Sequence, residues 1–165
     1  MSAKLKAYFF TVLFSVIGSI MIWKNFNLAA VPLILFYVIL IINSFFSIEF
    51  FSKITPDNNE QKVIDLSMVA IYLILILNLG NEFRYLLSSA VLFVVATLKY
   101  VLLLGTVDIK ILKRKIIIDL FGGIACILAL VGSLAGYGEV TNWIWALVFL
   151  FANVYLLVIK PMYRL

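Results

Sequence analysis

The sequence predicts an all-α fold: a polytopic transmembrane helix bundle of six spans with both termini cytoplasmic. Three observations predict it. Of the 165 residues, 65% are hydrophobic, against roughly 45–50% in soluble domains. Charged residues make up 13%, about half the ordinary share. The apolar residues fall in long runs separated by short polar linkers. A soluble protein of this length has no core large enough for so much apolar surface. A bilayer removes the difficulty, because lipid is then the apolar partner.

Each run is long enough to span. Hydrocarbon about 30 Å thick needs roughly 20 apolar residues as helix, with a range of about 17–25. The spacing predicts spans over 5–23, 28–51, 63–79, 83–104, 116–135 and 143–159, so that residues 1–165 form a single integral membrane domain. Pro32 falls in the first turn of the second span, where its missing N–H costs nothing. A membrane barrel would alternate apolar and polar residues along each strand, and 69–77 shows no such alternation. The first span follows Lys4 and Lys6, as a signal peptide would. No small-x-small cleavage site follows it, so it is expected to stay as a signal-anchor.

Linker charge sets the expected orientation. With six spans, the side holding the termini carries Lys4, Lys6, Lys53, Lys62, Lys110, Lys113, Arg114, Lys115, Lys160 and Arg164. The other side carries only Lys24 and Arg84. By the positive-inside rule the first side is cytoplasmic, and the expected location is the plasma (cytoplasmic) membrane. Trp23, Trp143 and Trp145 then fall near the outer interface, where indole rings collect.

The net charge of +5 is spread over short linkers rather than gathered on one face, which argues against a nucleic-acid partner. The expected partners are the lipid bilayer itself and a second copy or a membrane partner subunit. No histidine is present, which removes the commonest general base and transition-metal ligand. The sequence holds no glycine-rich phosphate loop, serine nucleophile elbow or histidine metal pair. No catalytic residue, metal or cofactor is therefore expected.

Candidate functional residues are the polar ones inside the apolar runs. A charge at the bilayer centre costs at least about 2.5–3.5 kcal/mol, so such residues pair or face a cavity. Lys99 and Asp119 lie in consecutive spans near the cytoplasmic side and are expected to approach each other. Asn43 and Asn153 lie deeper, and with Lys99 and Asp119 form a candidate intramembrane polar site. Glu49 and Asp65, at the cytoplasmic ends of the second and third spans, are read as a candidate mouth. Asp119, Gly122, Cys126, Ala129, Ser133 and Gly136 recur at steps of three and four. The small residues among them suit a helix-packing face. Lys110, Lys113, Arg114 and Lys115 are read as an inner-leaflet or partner contact.

These residues point first to a small carrier or channel-like protein, or a transporter subunit, for a small solute or ion. A second reading is a non-catalytic structural or assembly subunit of a membrane complex. A third is a membrane-embedded enzyme using the cytoplasmic-side carboxylates.

Overall fold

The computed structural model describes residues 2–105 and 110–163. Arg164, counted above for orientation, lies outside the described residues. The described chain is helical throughout, with no strand: α1 (Ala3–Asn25), α2 (Val31–Phe51), α3 (Asn59–Leu77), α4 (Glu82–Leu104), α5 (Lys110–Gly132) and α6 (Gly138–Val154).

Short polar residues start these helices by accepting from otherwise unpaired backbone N–H groups. Ser2 caps Leu5 at the start of α1, at 3.3 Å. Asn58 caps Gln61 in α3 at 2.8 Å, and Asn81 caps Arg84 in α4 at 3.0 Å. Asn27 caps a single 3-10 turn, Leu28–Ala30, that leads into α2 with Pro32 in its first turn. α5 ends in a wide turn, Ser133–Tyr137, in which Gly136 has φ 87°. α6 closes with another wide turn, Tyr155–Ile159.

The connections gather at two ends. At one, a Cβ on Gly80 would run into Asn25, and one on Gly138 would run into Glu82. Asn142 at the start of α6 donates to Glu82 at 2.8 Å. At the other, Lys6 of α1 meets Asp65 of α3, and Tyr163, beyond α6, meets Asn43 of α2. Successive helices therefore run in alternating directions. α4 packs against α3 and α5, α1 against α2 and α3, and α6 against α2 and α5.

The core is aromatic. Phe36 stacks on Trp145 at 4.0 Å and lies 4.5 Å from Phe149, with Phe93 and Tyr85 at its edges. Buried phenols reach carbonyls of neighbouring helices: Tyr37 donates to Phe14 O at 2.9 Å, and Tyr85 to Leu33 O at 3.0 Å. The outer faces are apolar as well. Phe121 is 68% exposed, and Leu66, Leu128 and Val158 stand out similarly. Apolar residues on both sides of a helix suit a helix surrounded by lipid or by further protein.

Four helical stretches are long and apolar enough to cross a membrane: Ala3–Asn25, Leu28–Phe51, Glu82–Leu104 and Lys110–Ile159. The last has 50 residues, about 75 Å if it ran straight. It does not, because it reverses at Gly136 and α6 packs back on α5. α3 falls outside the four. It carries three charged residues, Glu60, Lys62 and Asp65, in its opening turns, and it begins four residues before the expected 63.

Two further departures have local causes. α5 begins at Lys110, so the basic run 110–115 is helix rather than linker. Trp145 is buried against Phe36 because it faces the bundle on α6, whereas Trp143 faces outward.

Gly136 occupies backbone space that a Cβ disfavours, with open room around it. Gly136→Ala is therefore expected to cost about 1–2 kcal/mol through the backbone alone. Thermal unfolding in detergent, with Ser133→Ala as the control in the same turn, measures it. Equal midpoints for the two variants would mean that the reversal tolerates another geometry.

Candidate functional site

At the end of the bundle that holds the described N-terminal residues, α1, α2, α3 and α4 enclose a cavity of about 630 Å³. Its outer wall includes Ala3, Thr55, Asp57 and Lys62; its inner wall includes Phe14, Ser44 and Tyr72. Phe14 lies about 16 Å along α1 from Ala3. The cavity therefore extends about 16 Å along α1.

Asp65 organises this space. The Asn58 cap sets where α3 starts, and Asp65 follows in its second turn. Lys6 from α1 donates to its Oδ2 at 3.1 Å, and Lys99 from α4 donates to its Oδ1 at 2.5 Å. Three helices thus meet on one carboxylate. The Lys99 side chain is only 11% exposed. Close by, Gln61 is 4% exposed, and its Oε1 has no hydrogen-bond partner. Farther in, the hydroxyls of Ser44 and Tyr72 bond to each other, and those of Ser47 and Tyr100 lie 3.0 Å apart. At the rim, Asp57 pairs with Lys62 at 2.8 Å. That hydrogen bond and the ammonium charge hold the Asp57 carboxyl below its ordinary value.

A smaller cavity of about 50 Å³ lies behind the first. It shares Ser44, Ser47, Met68, Tyr72 and Tyr100 with the larger one and adds Asn43, Lys115 and Asp119. Lys115 and Asp119 form an ion pair one helical turn apart, with Asp119 1% and Lys115 6% exposed. The Lys115 ammonium also sits 5.5 Å from the centroid of the Tyr100 ring, a cation–π distance. Asp119 Oδ2 has no hydrogen-bond partner. Asn43 Oδ1 accepts from Tyr163 at 2.9 Å.

The structure sorts the residues singled out from sequence. Lys99 and Asp65 line the large cavity, and Asn43 and Asp119 the small one. Lys99 and Asp119 do not pair as expected: Lys99 is taken by Asp65, and Asp119 by its own helical neighbour Lys115. Asn153 lines neither cavity, and its amide donates to Phe149 O at 2.8 Å within α6. Glu49 lies 3.9 Å from Lys53 and is not part of the cavity wall.

On α5, Asp119, Cys126 and Ala129 are buried, and Gly122 faces Phe93, where a Cβ would come within 2.6 Å of the ring. Ser133 is half-buried and Gly136 exposed. The small-residue face therefore ends near Ala129, and Gly136 serves the chain reversal instead. In the basic run, Lys110 and Lys113 are exposed and Arg114 is half-exposed. Lys115 is not available to lipid or a partner, because it turns inward to Asp119.

Several cavity residues escaped the sequence reading. Lys6 carried weight only as a topology charge. Ser44, Ser47, Gln61, Tyr72 and Tyr100 carried none. The signal for Ser44 and Ser47 was their spacing of three on α2, which puts both hydroxyls on one face.

Glu49, Asp57, Asp65 and Asp119 each have a lysine partner. Among the described residues, no group of three or more His, Cys, Asp or Glu side chains is placed to hold a metal ion. The chain matches no protein-family model, no curated protein and no solved structure.

Proposed function

We propose that this is a small carrier or channel-like membrane protein, or a transporter subunit, that handles a small solute or ion. The observation that carries the reading is the cavity of about 630 Å³ between α1 and α4. Pockets for small molecules run to about 300–1,000 Å³. Charged groups this deep are costly in a membrane, and residues that persist there mark substrate or ion pathways. Lys6, Asp65 and Lys99 sit at the centre of the cavity wall, with hydroxyls farther in.

The same reading places all six helices across the plasma membrane, α3 included, with both termini cytoplasmic. Its support is the alternation of helix direction and the gathering of Lys and Arg at the cavity end. The neutralising contacts on Asp65 lower the cost of carrying α3 through lipid.

Cysteine labelling in intact cells, on a Cys126→Ala background, tests both parts. Tyr137→Cys is expected to react with a membrane-impermeant maleimide from outside, and Asn58→Cys only after permeabilisation. Ser44→Cys and Ser47→Cys are expected to react with a small water-soluble thiosulfonate after permeabilisation, while Ala146→Cys, fully buried, stays silent. Reaction of 58 and 137 from the same side would end the six-span arrangement. Correct sidedness with silent 44 and 47 would mean a dry bundle, and the structural or assembly subunit would replace the carrier.

A further inference from the structure

We propose that the large cavity takes a molecule with one anionic group on an apolar body, the anion lying between Lys6 and Lys99. This rests on the carrier reading above and names the substrate class of that same site.

The argument begins with charge. Three lysines and two aspartates line the cavity. Asp57 and Lys62 neutralise each other at the exposed rim, at 2.8 Å. What remains is Lys6 and Lys99 on the single carboxylate of Asp65, at 3.1 Å and 2.5 Å. That trio carries one uncompensated positive charge. Charge excess is costly where water is scarce, and a monoanion cancels it while a cation doubles it. A cation would also have to displace lysines already seated on Asp65.

Hydrogen bonding points the same way. Each ammonium has three donors, and Asp65 uses one from each. Gln61, 4% exposed on the same wall, has an amide oxygen with no partner. A buried amide left unsatisfied is costly, and a bound polar group relieves it. The free atom is an acceptor, so Gln61 asks for a hydroxyl or N–H donor elsewhere on the ligand, while the spare lysine donors are what the anionic group satisfies.

The walls specify the rest of the molecule. Inward from the trio come Phe10, Phe14, Met68, Val69 and the ring of Tyr72. These offer an apolar, largely aromatic lining with two polar points, the Ser44–Tyr72 and Ser47–Tyr100 hydroxyl pairs. A fully hydrated inorganic anion finds little there, whereas an organic carboxylate, sulfonate or phosphate monoester with a hydrocarbon body fills both halves. Such a molecule reaches this end of the bundle from the water or from the adjoining lipid leaflet.

The test uses the full chain in phosphatidylcholine nanodiscs, with saturable binding of radiolabelled 1-naphthalenesulfonate as the readout and 1-naphthylmethylammonium as the cationic counterpart. The sulfonate is expected to bind saturably and the ammonium not. Lys99→Met and Lys6→Met are each expected to weaken the sulfonate about tenfold, the effect of losing one charge-assisted hydrogen bond. Lys113→Met, outside the cavity, should leave it unchanged. Asp65→Asn should tighten it several-fold by removing the competing carboxylate, a gain that a misfolded variant cannot produce.

Nanodiscs containing phosphatidylglycerol separate the sources: loss of sulfonate binding there identifies a lipid headgroup as the occupant, and undiminished binding identifies a soluble anion. Saturable binding of the ammonium, or weakening by Asp65→Asn, overturns the proposal. So does sulfonate binding that ignores both lysine variants. Failure here with Ser44→Cys still reactive removes only the anion. Failure with Ser44→Cys silent removes the carrier reading as well.

Discussion

Asp119→Ala is expected to destabilise the bundle by about 3–5 kcal/mol, the usual result of stripping the partner from a buried charge. The loss comes less from the missing attraction than from what stays behind. Lys115 is 6% exposed, and without Asp119 its remaining neighbours are the Tyr100 ring and the Tyr163 side chain. A cation–π contact contributes about 0.5–2 kcal/mol, too little to offset desolvation of an ammonium. The paired replacement Lys115→Met with Asp119→Leu removes both charges and keeps comparable volume. It is expected to be near neutral or slightly stabilising. Unfolding by sodium dodecyl sulfate in mixed micelles measures all the variants together. If the double variant is as unstable as Asp119→Ala, the cost lies in packing around residue 119 and not in the unpaired lysine.

Phe36→Ala is expected to cost about 2–3 kcal/mol. In water-soluble proteins such a change loses a transfer term and a cavity term. In lipid the first nearly vanishes, since a helix separated from the bundle still holds Phe36 in hydrocarbon. What remains is the ring-sized void, at about 24 cal/mol per Å³. It is large here because Trp145, Phe149, Phe93 and Tyr85 all touch the same ring and belong to two other helices, α4 and α6. Phe121→Ala, on an outward face 68% exposed, is the matched control and should change stability little. Equal losses for the two would mean that the aromatic cluster is not where the bundle is held together.

Much of the helical layout was legible from the sequence, because length and hydropathy decide it directly. Expected 28–51 and 83–104 differ from the observed stretches Leu28–Phe51 and Glu82–Leu104 by at most one residue. Level along the bundle was legible too: Lys99 and Asp119 were read at the same end, and the two cavities they line adjoin there. What depth does not contain is azimuth. Lys99 on α4 had two acids within reach of its level, and only the packing of α4 against α3 as well as α5 decides for Asp65. Asp119 had a partner one turn away on its own helix, but Lys115 had been placed in a linker. Residues 110–115 look like loop by charge and form helix by structure. Asn43 and Asn153 show the same limit, since similar residues at similar depth face a cavity in one case and their own helix in the other. The cavity itself was invisible, because a void is a property of several helices and no single one encodes it.

The three-way contact on Asp65 also bears on how the chain is made. On the six-span reading, α3 leaves the ribosome after α1 and before α4. Lys6 is already available when Asp65 appears, but Lys99 is synthesised 34 residues later. During that interval α3, with Glu60, Lys62 and Asp65 in its opening turns, holds a carboxylate with half its final neutralisation. Its settled place in the bilayer then depends on a helix that does not yet exist, so α3 and α4 should enter as a hairpin. A nascent chain arrested before residue 99 is released would leave α3 exposed to alkaline extraction, whereas one arrested beyond α4 would not.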